Sequence, residues 1–255
     1  MFKGTLIRSG NNAKTVKGDG EYETAIMYLA PFTLAGSNVC PMAEQAGCVK
    51  GCLNTAGRGA YNNVQVARIN KTKRYLASRT QFMADLVDDL ERFVAYCERK
   101  GVKPAVRLNG TSDIQWEVAH FASRGDKRGS VFELFPEVQF YDYTKVYKRA
   151  YRALPVNYSL TLSYSHASTA YAEAVVKAAN ETGANIAVVY RTKELRDTLA
   201  SYDCAGLATT TDFNLNRPVF NGDETDLRFL DPKGVIVGLY AKGAAKGDRS
   251  GFVVG

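Results

Sequence analysis

The sequence predicts an α/β protein: a single domain whose parallel sheet forms a full or partial (β/α) barrel, with a cysteine-rich loop after an early strand. Three observations carry this expectation. Short apolar runs alternate with helical patterns, the order that parallel βαβ units produce. The chemically versatile side chains fall where those runs end, and such folds bind ligands at the C-terminal ends of their strands. The composition, 45% hydrophobic and 23% charged over 255 residues, is that of a globular chain. It excludes wholesale disorder, collagen-like and coiled-coil architectures. No internal repeat, low-complexity tract or Pro-rich linker divides residues 1–255.

The elements follow in order. The apolar segment Tyr22 to Leu34 starts a strand that runs into the cysteine loop, where closely spaced glycines forbid a long helix. Arg68 to Lys100 reads as one helix, because Phe82, Leu86, Leu90, Phe93 and Val94 recur at helical spacing. Gly101 and Pro104 break it. Ala105 to Leu108 is a strand ending in the polar turn Asn109 to Asp113. Ile114 to Ala122 reads as a helix, and Val138 to Tyr141 as a strand with Asp142 to Lys145 at its end. Tyr158 to Ser163 is a strand, Ala170 to Thr182 an Ala-rich helix, and Ile186 to Tyr190 a strand. Leu195 to Tyr202 is a short helix and Val235 to Leu239 a late strand. Residues 233–255 form a Gly/Lys-rich basic tail.

The cysteines are the sharpest chemical signal. Cys40-x7-Cys48-x3-Cys52 places three thiols in one segment, while Cys97 and Cys204 stand alone and read as buried apolar residues. An odd count of five argues against a disulfide framework. Three thiolates on a glycine-rich loop can hold three irons of a [4Fe–4S] cluster and leave the fourth open. Lys50 and Arg58 would offset the thiolate charge. Three alternatives stay open at this point. Zinc would need a fourth ligand from His120, His166, Cys97 or Cys204. A catalytic thiol would need a nearby base. The third is three structural cysteines with no metal.

Other residues gather at strand ends. Asp113 can bind an amine or a ribose hydroxyl, and Arg107 a carboxylate or phosphate; a salt bridge or turn cap explains them equally. Lys145 can meet a bound anion or sit solvated on the rim. Ser163 and His166 lack the Gly-x-Ser-x-Gly elbow of a serine hydrolase.

The net charge is +7, and it is unevenly spread. From Gln45 through Ala84 there is no Asp or Glu, yet Lys50, Arg58, Arg68, Lys71, Lys73, Arg74 and Arg79 all fall there. With Tyr61 and Tyr75 available for stacking, this reads as a nucleic-acid contact through Arg58, Arg68, Lys71 and Arg74. A solvated helix face is the competing account. The tail from Lys242 to Arg249 reads as a phosphate-binding loop without a Walker pattern. No run of about 18 apolar residues exists, and the start of the chain lacks the apolar stretch of a secretory signal. The expected location is the cytoplasm, with no membrane partner.

Several motifs together resemble the phage gene-product-88 domain family, and residues 22–165 carry the likeness. They are Cys40-Pro41 with Cys48 and Cys52, then Gly57 to Gly59, Ala67-Arg68 and Lys71. Val106 to Asp113 resembles the family's "vRihxSGD" strand, and Phe140 to Lys145 its "FyaYTK" strand. Leu154 to Asn157 and Ser163 follow in family order. The resemblance implies a phage-associated protein with a layout similar to radical-SAM-like cysteine-loop barrels. On that layout the chain is an enzyme acting on nucleic acid or nucleotide in the host cytoplasm. Asp113 and Lys145 are then the catalytic candidates, and Arg107, Asp113 and Ser163 would hold S-adenosylmethionine. The Cys spacing departs from the x3-then-x2 pattern of radical-SAM enzymes. The alternative is a non-enzymatic nucleic-acid-binding protein whose loop holds a structural zinc or iron–sulfur group.

Overall fold

The computed structural model describes residues 1–10, 20–201 and 216–255. The chain is a mixed α/β protein built on a mostly parallel eight-stranded sheet. The strands are β1 (Ile7–Ser9), β2 (Tyr22–Met27), β3 (Lys103–Arg107), β6 (Gln139–Thr144), β7 (Tyr158–Ser163), β8 (Ile186–Tyr190), β9 (Val219–Asn221) and β10 (Ile236–Tyr240). Their order across the sheet is β1-β2-β3-β6-β7-β8-β10-β9. β1 is antiparallel to β2. The pairs β2–β3, β3–β6, β7–β8, β8–β10 and β10–β9 are parallel. β4 (Phe121–Arg124) and β5 (Lys127–Ser130) form a separate antiparallel hairpin.

The contacts divide the chain into two compact units. The first holds Met1–Val39, Gln65–Asp142 and Ala153–Ser159; the second holds Cys40–Val64, Tyr143–Arg152 and Leu160–Gly255.

In the first unit, α2 (Arg79–Lys100) buries Phe82, Leu86, Leu90, Phe93 and Val94, the face that the helical spacing foretold, together with Cys97. Each such side chain contributes roughly 1.5–3 kcal/mol on burial. Gly101 ends the helix in the left-handed region, φ 67°, where a side chain would be strained. The helix begins later than expected. Arg68 to Lys100 is two helices, because α1 (Asn62–Ala77) stops at Ser78. The Ser78 side chain accepts from Gln81 N and caps α2 afresh.

Ile114 to Ala122 is not a helix. Asn109 Oδ1 accepts from Ile114 N and Trp116 Nε1, and Asn109 Nδ2 donates to Ile114 O. A side chain has taken the bonds a helix would need. Ala119 then turns to φ 56°, and β4 begins at Phe121. The short α3 (Val131–Leu134) follows, with a Ser130–Glu133 capping box.

In the second unit, α4 (Thr169–Thr182) is capped by Ser168 and ended by Gly183 at φ 72°. Its Tyr171, Val175 and Ala179 pack with Leu162, Ile186, Val188 and Ile236 of the strands. α5 (Lys193–Ala200) is capped by Thr192. The expected helix end at Tyr202, like Cys204, lies outside the described residues. The strand expected to run to Leu34 ends at Met27.

Candidate metal centre

The cysteine segment belongs to the second unit. Cys40, Cys48 and Cys52 are half-buried thiols outside any disulfide. Cys52 Sγ accepts from Asn54 N at 3.5 Å and so caps the 3-10 turn Leu53–Thr55. Cys48 and Met42 each pack against the core formed by α4, β7, β8 and β10.

Two stretches far off in sequence meet the backbone just before Cys48. Ser165 Oγ donates to Ala46 O at 2.6 Å. Ser250 Oγ lies 2.9 Å from Gly47 O. His166 N donates to Gly251 O at 2.8 Å, which joins the two stretches. The approach is close enough to demand glycine. A Cβ on Gly47 would meet Ala167 Cβ at 2.6 Å, and one on Gly51 would meet the Phe252 ring at 2.8 Å.

Lys145 brings a positive charge to this region. Its Nζ donates to Tyr164 O at 2.9 Å and stands 4.5 Å from the centre of the Phe252 ring, the ring that covers Gly51. The Tyr171 hydroxyl lies 2.8 Å from Ser163 O and 3.1 Å from Lys145 O. The structure therefore brings Lys145, Ser163 and the three cysteines into one unit. Three thiols, with a backbone N–H on one sulfur, are donors of the kind an iron–sulfur group takes. Among the described residues, no three His, Cys, Asp or Glu side chains gather at metal-ligating range.

The remaining cofactor candidates lie in the first unit. Arg107 ends β3 and is buried, as is Asp113, whose N–H donates to Val39 O at 2.9 Å. The turn between them is a packed polar network. Asn109 N donates to Asp142 Oδ1 at 2.7 Å, Tyr158 OH to Asp142 Oδ2 at 3.0 Å, and Thr111 Oγ1 to Leu29 O at 2.5 Å. This network rigidifies the strand end.

Of zinc's proposed fourth ligands, Cys97 is buried in α2, and burial pushes its thiol up to about 12. His120 is held between Tyr75 OH, 2.8 Å from Nε2, and Val118 O, 2.6 Å from Nδ1. Cys97 and His120 belong to the first unit and His166 to the second, and Cys204 lies outside the described residues.

Part of the basic stretch is turned to internal work. Arg68 is buried with its guanidinium 4.8 Å over the Tyr28 ring. Lys71 Nζ donates to Leu6 O at 2.6 Å, and burial, then the Arg8 charge, lower its pKa to about 8. Arg74 is ion-paired with Asp85. Arg58 is exposed, as are Lys50, Lys73 and Arg79.

Sequence reasoning missed Ser165, Ser250 and Phe252. The serines stand 119 and 203 residues from Ala46 and Gly47, and no local pattern marks them or Phe252.

Among the described residues, no helix is long and apolar enough to cross a membrane. A family model described as Gene product 88 matches residues 5–255. No curated protein and no solved structure matches the chain.

Proposed function

We propose a function for this chain, which belongs to the Gene product 88 family: it is a phage-encoded iron–sulfur protein. Cys40, Cys48 and Cys52 hold three irons of a [4Fe–4S] cluster, and the fourth stays open to a ligand. One observation carries the reading: three thiols outside any disulfide share one segment, whose backbone is fastened by Ser165 and Ser250. The sulfurs must draw together when iron arrives, so metal binding and loop ordering are coupled. When bound, the cluster supplies one-electron chemistry and an open coordination position.

The protein residues have separate tasks. The Asn54 N–H stabilises the Cys52 thiolate. Lys145 offsets the negative charge of the three-thiolate site. Gly47 and Gly51 keep the backbone close to its supports. The reading extends to S-adenosylmethionine as co-substrate, with Ser163 and Lys145 at neighbouring strand ends, and to a sheet curved as a partial barrel. It takes a nucleic acid or nucleotide as substrate, met by the exposed cations of the acid-free stretch.

Anaerobic reconstitution with iron and sulfide tests it. The parent should take up close to four irons and four sulfides, with a brown chromophore. Replacing Cys40, Cys48 or Cys52 by Ser should abolish the colour, and Cys97→Ser should keep it. Loss of colour in Cys97→Ser would end the three-thiolate assignment. A colourless protein with stoichiometric zinc would favour the second reading, a structural metal staple in a nucleic-acid-binding protein.

A further inference from the structure

The geometry points to a second ligand site in the second unit, a pocket for a phosphate group lined by Arg191, Lys246, Gly247, Asp248 and Arg249. Its volume is about 370 Å³, inside the range of about 300–1,000 Å³ that small ligands occupy. It stands at the C-terminal ends of two adjacent parallel strands. Arg191 directly follows β8, and the lining segment follows β10, its neighbour. Ala241 N donates to Tyr190 O, and Arg191 N to Val254 O, so both strand ends are tied into the rim. Open α/β sheets bind their ligands at such ends.

The charge at the rim is positive and held in place. Three cations face one carboxylate, and that carboxylate is spent internally. Asp248 is buried; its Oδ2 accepts from Val253 N at 3.1 Å and its Oδ1 lies 2.7 Å from Ser250 Oγ. Arg191 is fixed by main-chain carbonyls: Nε donates to Gly255 O at 2.9 Å and Nη1 to Asp248 O at 2.7 Å. The Asp248 carbonyl orients the guanidinium without cancelling its charge. Among the described residues, these bonds leave the two N–H groups of Nη2 for a ligand. Lys246 and Arg249 are exposed, and among the described residues neither makes an ion pair. A fixed planar donor edge beside two exposed cations suits a doubly charged phosphate. A neutral ligand would leave all three charges unanswered.

No thiol lines this pocket, so the inference does not rest on the iron–sulfur reading. Calorimetry on the full chain at low salt, with inorganic phosphate and a nucleoside monophosphate as probes, tests it. The parent should bind phosphate saturably. The double variant Lys246→Ala, Arg249→Ala should lose about tenfold or more in affinity with an unchanged thermal midpoint, because both side chains are exposed. Cys48→Ser should bind as the parent does, which separates this site from the metal centre. Tighter binding of the nucleotide would assign a nucleoside to the ligand, and equal affinity would assign the phosphate alone. No saturable binding of either probe at millimolar concentration would overturn the proposal. So would a double variant that binds like the parent.

Discussion

Two runs of cations look alike in the sequence and are used in opposite ways. In α1, Arg68 and Lys71 are drawn inward and Arg74 is neutralised by Asp85. In the segment after β10, Lys246 and Arg249 stay exposed beside a guanidinium fixed by carbonyls. The first run lies on a helix whose polar stems cover apolar and aromatic surface. In the second, Lys246 lies on a short 3-10 turn, Gly243–Gly247, where only Ala245 is buried, and Arg249 follows that turn. Charge density in a sequence therefore says little about charge on a surface. What decides is whether the secondary structure turns the side chains toward a core.

The largest expected effect breaks this comparison directly. Arg68→Glu, Lys71→Glu and Arg74→Glu together would place carboxylates where cations are now buried or paired. A buried charge without a partner costs about 3–5 kcal/mol, so the triple variant should unfold at markedly lower urea. The matching reversal of Lys246 and Arg249 should change stability by no more than about 0.5 kcal/mol. Equal, small effects in both variants would show that the α1 cations are solvated after all.

The second effect comes from Lys71 alone. Its pKa falls from 10.5 to about 8 in the folded protein, so the unfolded chain binds the proton more tightly. Below pH 8 the charge is carried in both states and its burial penalty is fully present. Stability should rise as pH climbs from 8 to 10.5, where the folded state alone has lost the proton. Lys71→Met should raise stability at pH 7 by about 1–3 kcal/mol, after loss of the bond to Leu6 O. That gain should vanish by pH 10.5. Urea titrations at pH 7 and pH 10.5 read both; a gain that persists at high pH would rule out the buried charge as its source.

The division between the two runs also shows what a sequence can carry. β7, β8 and α4 fall within a residue of their expected limits, because their apolar spacing meets a core and their helix ends carry Ser168 and Gly183. The break at Ser78 had a signal in Ser78-x-x-Gln81, but the strong apolar face downstream masked it. The failed helix at Ile114 was not legible. It depends on the Asn109 side chain reaching the backbone five residues on, and nothing in the spacing marks that asparagine. The candidate site divides the same way. Three cysteines in one segment are visible at once. Their supports at Ser165, Ser250 and Phe252, and the fixing of Arg191 by Asp248 O, join residues that only the folded sheet brings together.

The smallest expected effect refines the picture of α1 as an inward-facing helix. Tyr75, on the same helix, places its hydroxyl 2.8 Å from His120 Nε2, and the imidazole stands 4.9 Å from the Trp116 ring. Val118 O lies 2.6 Å from Nδ1, so Nδ1–H donates there and Nε2 accepts from the tyrosine. Burial lowers the His120 pKa below its ordinary value, with the nearby Arg79 adding to the effect against the Val118 bond. The unfolded chain therefore takes up the proton first as pH falls, and stability from this site, complete above about pH 6.5, is lost as the solution is acidified. Tyr75→Phe removes the donor and leaves a buried nitrogen unpaired, at a cost of about 1 kcal/mol at pH 7. His120→Phe keeps an aromatic ring against Trp116 and removes the titration. Its stability should decline less than the parent's between pH 7 and pH 5 in urea melts. An identical decline in the two proteins would place the acid sensitivity elsewhere and leave His120 as a packing residue.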